Sequence, residues 1–210
     1  MPTATETRVA ALSRSKTVKT PNAAAAILCG VASAVPLAFA LPSGPGRYLV
    51  GFLVGIVWAN GFEYAYHRFL LHLPGSLFAR YHLQHHAVTG TPAEAEHVSF
   101  GSSPSWVVVL FAVNGAPVVA ADWLGRFGFG IAPGVLAAFS LYYVTLEEIH
   151  WGIHLGEWLP RTLHFAHAHH LAHHHHPDRR FNVFLPAFDW LVETARRKDE
   201  TERLLSQNGD

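Results

Sequence analysis

The chain has 210 residues and no formal net charge; half of it is hydrophobic and only 14% is Asp, Glu, Lys or Arg. Water-soluble domains carry about 25% charged residues and nucleic-acid binders need a basic surface, so this composition fits neither class. The single cysteine, Cys29, excludes a disulfide within the chain and any cysteine-based zinc or iron–sulfur site.

Residues 1–22 are polar and rich in Thr, Ser and Ala, which predicts a flexible cytoplasmic tail. Four apolar stretches follow, at 23–41, from Tyr48 through Phe62 toward Leu71, at 105–121 and at 131–149. The first is ended by Pro42-Ser43-Gly44-Pro45-Gly46. Each stretch approaches the ~20 residues that cross a bilayer core. The first and third also lack the polar stripe that a water-facing helix needs. These features predict an all-α integral membrane protein with four transmembrane helices, a membrane domain over 23–195 and a charged, solvated tail over 196–210. All but Arg47 and Arg126 of the fifteen basic residues then fall on one side of the bilayer. The positive-inside rule makes that side cytoplasmic and places both termini there. Every histidine lies on the same side or at its interface.

The sixteen histidines begin only at His67, so the chain divides into an N-terminal anchor and a C-terminal chemical half. Two strings, His82-Leu83-Gln84-His85-His86 and His170-Leu171-Ala172-His173-His174, place histidines at i, i+3 and i+4. On a helix those offsets gather three imidazoles within an arc of about 100°. Three nitrogen donors on one face suit a transition metal. A looser pair precedes each string, His67 with His72 and His150 with His154. The expectation is two half-sites of five histidines, each built from one pair and the string that follows it, in a cytoplasmic histidine-rich cap.

His67 and His72 are five residues apart and diverge by about 140° on a straight helix, so sharing a metal demands a helix end or kink between them. Arg68 reads as an interface anchor whose long side chain snorkels. Glu63 sits inside an apolar run at a cost, which points to a role in orienting a metal-bound imidazole. Glu147 and Glu148 either take that role or mark the water boundary. The run His164–His176 holds more histidines than one site needs: His164, His167 and His169 are candidates for alternate ligands or supporting positions, whereas His175, His176 and His97 read as exposed. A pair of redox-capable ions held by nitrogen at a bilayer surface can activate dioxygen and hydroxylate an unactivated C–H bond. Iron is the usual metal for this chemistry; zinc fits the same ligands but carries no redox chemistry.

The arrangement resembles the fatty acid hydroxylase/sterol desaturase superfamily of membrane non-haem di-iron enzymes. That pattern is a histidine pair, an HxxHH string, a second pair and a second string, here His67/His72, His82/His85/His86, His150/His154 and His170/His173/His174. The stretch from Glu63-Tyr64 through His67-Arg68-Phe69 to His72 is similar to the opening motif of the fatty acid 2-hydroxylase branch. Phe181-Asn182-Val183 followed by Phe188-Asp189-Trp190-Leu191-Val192-Glu193-Thr194 is similar to the closing motif, which usually has Gly in place of Asn182 and of Glu193. Glu147-Glu148 replaces the Tyr-Asp often found before the second pair. The resemblance covers about residues 47–195 and implies two iron ions, O2 as co-substrate and a membrane lipid substrate, with an acyl chain foremost. No haem-binding domain is visible in the sequence, so electrons are expected from a separate donor protein of ferredoxin or cytochrome type. A carotenoid or sterol hydroxylase or desaturase would share the ligands. A metal-handling membrane protein is the competing class, but a transporter needs polar ligands inside its spans, and Asn114 beside Gly115 and Pro117 reads as a kink.

Overall fold

The computed structural model describes residues 4–40, 42–76, 78–99, 103–124, 130–156 and 159–192. Seven α-helices are present among them: α1 (Ala4–Ala40), α2 (Pro45–Tyr66), α3 (Ala79–Val88), α4 (Pro104–Leu124), α5 (Ala132–Leu155), α6 (His164–His175) and α7 (Ala187–Leu191). A π-helical turn, His67–Leu71, extends α2, and short 3-10 turns occur at Glu94–Glu96 and Arg161–Leu163. The described residues contain no strand, in keeping with the all-α expectation.

Three helical segments are long and apolar enough to cross a membrane: Val9–Ala40, Pro45–Leu71 and Pro104–Leu124. Their outer faces expose Leu28, Val31, Val35, Phe39, Leu53, Val57, Val108 and Val113, a continuous apolar surface that water would not tolerate but lipid does. The fourth predicted span falls on α5, which lies outside that set. Its C-terminal half carries Glu147, Glu148, His150 and His154, and most of the helix is buried against α1, α2 and α4. Other helices, rather than lipid, supply its apolar surroundings.

Close approach of α2 and α5 depends on glycine. A Cβ on Gly134 would overlap the Tyr48 carbonyl, and one on Gly51 would overlap the Ile131 carbonyl. Small residues at such contacts let backbones pack where lipid offers no hydrophobic drive for association. The aromatic core of Phe111, Phe139, Tyr142 and Tyr143 fills the space between α2, α4 and α5. Gly156, in the left-handed conformation at φ 63°, ends α5 by donating its N–H to the Gly152 carbonyl at 3.0 Å.

Residues 4–22 do not form the expected flexible tail: from Ala4 the chain is helical and continuous with the first apolar stretch. Ala11, Ser15, Asn22 and Ala26 form one buried stripe of small residues at helical spacing. Ser15 accepts a hydrogen bond from the Trp151 indole at 2.6 Å, Lys19 pairs with Glu148 at 2.7 Å and lies over the Trp151 ring, and Arg14 pairs with Glu96 at 2.9 Å. A polar composition conceals this docking because the buried stripe is small and partly polar rather than greasy. The tail 196–210 lies outside the described residues.

Gly134→Val forces a side chain into backbone and is expected to destabilise the protein by about 1–3 kcal/mol or more. Gly46→Ala meets nothing within 4 Å and should leave stability unchanged. Thermal unfolding of the detergent-purified variants measures the difference.

Candidate metal centre

Four elements deliver histidines to one end of the helix bundle. His67 opens the π-helical turn and His72 closes it. The wider π turn solves the five-residue spacing: it brings the two rings to 5.0 Å, where an α-turn would splay them. His150 and His154 are one turn apart at the end of α5. The strings occupy α3 and α6, whose histidines at i and i+4 point together while the i+3 histidine lies about 60° to the other side of i.

All ten histidines of the two pairs and two strings converge, in two clusters that could each hold a metal ion. One comprises His67, His72, His82, His86 and His173; the other comprises His85, His150, His154, His170 and His174. Within each cluster the candidate ligand nitrogens lie within 4.8 Å of one another. This corrects the expected division, because the middle histidine of each string crosses to the other cluster. His85 sits 4.5 Å from His154 and 4.7 Å from His174, and His173 sits 4.5 Å from His67, ring centre to ring centre. The cause is the helical offset: α3 and α6 face each other with His86 and His174 stacked at 4.2 Å, so each i+3 ring is aimed across the gap.

The spacing fits cations. The His82 Nε2 lies 2.9 Å from that of His67 and 3.0 Å from those of His72 and His86. One ring nitrogen carries a single proton or a single lone pair and cannot satisfy three such contacts; a shared ion can. Both ring nitrogens of buried His85 lack a hydrogen-bond partner among the described residues. Nitrogens 3.0 Å apart that each sit about 2.1 Å from one ion subtend about 90°, the angle of adjacent octahedral ligands rather than tetrahedral ones. The rings are also held in the ligand form. Burial, then neighbouring histidines, lower the proton affinity of His82, His85, His170, His173 and His174 well below the usual imidazole range. The same burial lowers His72 to about 4 and His86 to about 3, so all are neutral donors at pH 7.

Outward-facing ring nitrogens are tied down, which turns the others inward. His67 Nδ1 donates to the Phe181 carbonyl, His173 Nδ1 to the Arg179 carbonyl at 2.6 Å and His154 Nδ1 to Glu94 at 2.7 Å. His174 Nδ1 meets the Thr89 hydroxyl at 3.0 Å. The carbonyl-bearing segment is itself clamped. Asp189 accepts the backbone N–H groups of Phe181 and Asn182, both at 2.8 Å, and His169 at 3.0 Å. Glu63 accepts the Val183 N–H at 2.7 Å, the Asn182 amide at 3.0 Å and the Tyr142 hydroxyl.

Glu63 therefore acts on the segment that orients His67 rather than on a histidine. Glu147 is buried and accepts the Tyr143 hydroxyl at 2.9 Å, while Glu148 faces Lys19, away from the clusters. His169 supports Asp189; His167 is half-buried on α6 outside both clusters. His175 and His176 are exposed. His97 is instead half-buried, packed on the Tyr81 ring and 3.1 Å from Gln84. Asn182, which stands where the similar motif usually has Gly, is fully buried, and its amide also reaches the Asn60 carbonyl at 3.0 Å. Glu193 lies outside the described residues. Sequence reading missed Glu94, Thr89 and Asp189 as supports. Only Asp189 carried a signal, through its place in the closing motif; Glu94 and His154 are 60 residues apart and meet only in three dimensions.

These features define a class: a helical protein with membrane-length apolar helices and twin five-histidine clusters at one end. The family model described as fatty acid hydroxylase matches residues 52–194, more than half of the chain and inclusive of all ten histidines. The chain belongs to the fatty acid hydroxylase family. Searches of curated proteins and of solved structures returned no match.

Removing the acceptor behind a metal-bound imidazole weakens metal affinity about 10–100-fold. Glu94→Ala should show that loss in a metal titration of the purified protein, and Glu148→Ala should not.

Proposed function

We propose that the protein is a membrane-bound di-iron monooxygenase that hydroxylates a C–H bond of a lipid, with a fatty acyl chain as substrate. It uses O2 and electrons from a separate ferredoxin- or cytochrome-type donor. The observation that carries this reading is the pair of adjacent five-nitrogen clusters at the end of an apolar bundle. One iron would be held by His67, His72, His82, His86 and His173, the other by His85, His150, His154, His170 and His174. When bound, the pair supplies activation of O2 and oxidation of an unactivated C–H bond.

The chain's own residues do the remaining work. The Phe181 and Arg179 carbonyls, Glu94 and Thr89 hold the imidazoles in register. Tyr66, Tyr143 and Leu146 form an apolar floor that excludes water from the bundle side of the centre. Asn114 argues against ion transport: its amide is spent on the Trp58 indole at 3.1 Å and the Leu110 carbonyl at 2.8 Å within the bundle.

Four crossings with both termini and the clusters in the cytoplasm complete the proposal. Both α2 and α5 end at the histidines, and α4 leaves from that side, which supports a return of α5 through the bilayer. Its route lies between other helices, which shield its polar half. The asymmetry of Lys and Arg supports the cytoplasmic assignment.

Metal analysis joined to lipid profiling tests the chemistry. Two irons per chain and an oxidised lipid dependent on the protein are expected; at most one bound ion rules out the paired centre, and zinc alone in an active preparation rules out the redox mechanism. At matched expression His85→Ala and His173→Ala should each abolish hydroxylation and lower metal content, while His176→Ala retains both.

Reporter fusions at the two termini should both read cytoplasmic. A C-terminus on the far side would overturn the fourth crossing.

A further inference from the structure

Two cavities in the bundle share one side chain as their wall. On the outer face of α2, Leu53, Val57, Trp58 and Ala65 line an apolar groove of about 670 Å3, with Phe188 of α7 beside it. Leu53 and Val57 are exposed, so the groove opens toward surrounding lipid. From Leu53 to Ala65 it follows the helix for about 18 Å, comparable with the ~15 Å of hydrocarbon in one leaflet. Its cytoplasmic end is marked by a cation. Arg68 donates to the Tyr64 hydroxyl and lies over the Tyr64 and Phe181 rings, and Tyr64 packs against Phe188. An apolar slot of one-leaflet length ending at a cation matches an acyl chain with an anionic head.

The second cavity lies inside the bundle, lined by Glu63, Tyr66, Phe139, Tyr143 and Leu146. Glu63 and Leu146 each stand one helical turn before a histidine, His67 of one cluster and His150 of the other, so this pocket sits on the membrane side of both. Its volume is about 30 Å3, the share of a single water in the liquid. Phe62 lines both cavities. Its ring stacks on Tyr66 at 5.6 Å and meets Phe139 edge-on at 5.8 Å.

We propose that Phe62 is a gate between a bilayer-facing acyl groove and the pocket beneath the histidines. An acyl chain seated in the groove reaches the centre only when the Phe62 ring swings aside, and the ring's bulk sets which chains enter. The inference rests on the lipid-hydroxylase reading for its substrate. The inner pocket is small, and α2 and α5 are tied beside it through Tyr142, which donates to Glu63 and accepts the Asn60 amide at 2.7 Å, so the bundle itself cannot spread there at little cost. A ring that is half-buried and held by two aromatic contacts is the movable part of the wall.

The test uses the full-length protein in lipid nanodiscs with a fatty acid bearing a mid-chain diazirine, and maps adducts by mass spectrometry. Wild type should be labelled at Val57 or Phe188. Phe62→Ala should add labelling at Tyr143 or Leu146. In parallel, hydroxylation of a branched chain relative to a straight one should rise in Phe62→Ala and fall in Phe62→Trp. Each change should be about tenfold, the worth of roughly one methylene in a close-fitting pocket. Phe62→Leu, which keeps an apolar contact, serves the same comparison if the alanine variant loses folded yield. Equal labelling of Leu146 in wild type and variant, or an unchanged substrate ratio across the series, overturns the gate while wild-type hydroxylation stands. Wild type that oxidises no lipid in the presence of an electron donor overturns the hydroxylase reading instead, and the labelling pattern still decides the gate.

Discussion

Ten imidazoles packed against one another, six of them buried, are the constraint on which the rest of this structure depends. Each buried nitrogen without a partner costs about 1–3 kcal/mol. In the absence of cations the convergence of lone pairs around His82 and the unpartnered nitrogens of His85 would oppose folding of the cap. Two ions would reverse that balance and make metal binding part of the folding free energy. The crossing of His85 and His173 makes the coupling mutual. Each ion would bridge α3 and α6, so loss of either loosens the contact that shapes the other cluster.

The outer layer explains how such a site keeps its geometry at a membrane surface. Two buried carboxylates, Glu63 from the bundle and Asp189 from α7, grip the same short segment, 181–183. That segment and the Arg179 carbonyl before it then fix His67 and His173, two histidines of one cluster. The other cluster is fixed from the opposite direction, by Glu94 and Thr89 near the end of α3. The arrangement links polar groups inside the bundle to the cap without leaving a carboxylate alone in apolar surroundings, where it would be costly.

The bundle beneath serves two demands. Its outer faces on α1, α2 and α4 are apolar enough for lipid, while α5 carries polar groups to the cap under the cover of its neighbours. Glycines at the α2–α5 contact make that cover close, and the aromatic residues between the helices narrow the pocket under the histidines to about 30 Å3. The N-terminal half of α1 adds a brace at the same end, through Ser15 and Lys19 on Trp151 and Glu148.

The sequence by itself determined the helical class, the apolar stretches and the ten histidines, because each depends on composition or short-range spacing. Periodicity along one helix is enough to show that His82 and His86 share a face and that His67 and His72 need a distorted turn. It also determined the family, since the histidine pattern is linear. Only the tertiary structure decided which histidines share a cluster, because the i+3 ring of one helix chooses its partners on another. It likewise decided that residues 4–22 are a docked helix, that Glu148 serves Lys19, and that Glu94 rather than a carboxylate of α5 supports His154. Those outcomes follow from contacts between residues far apart in the chain, whose energies leave no mark on local pattern.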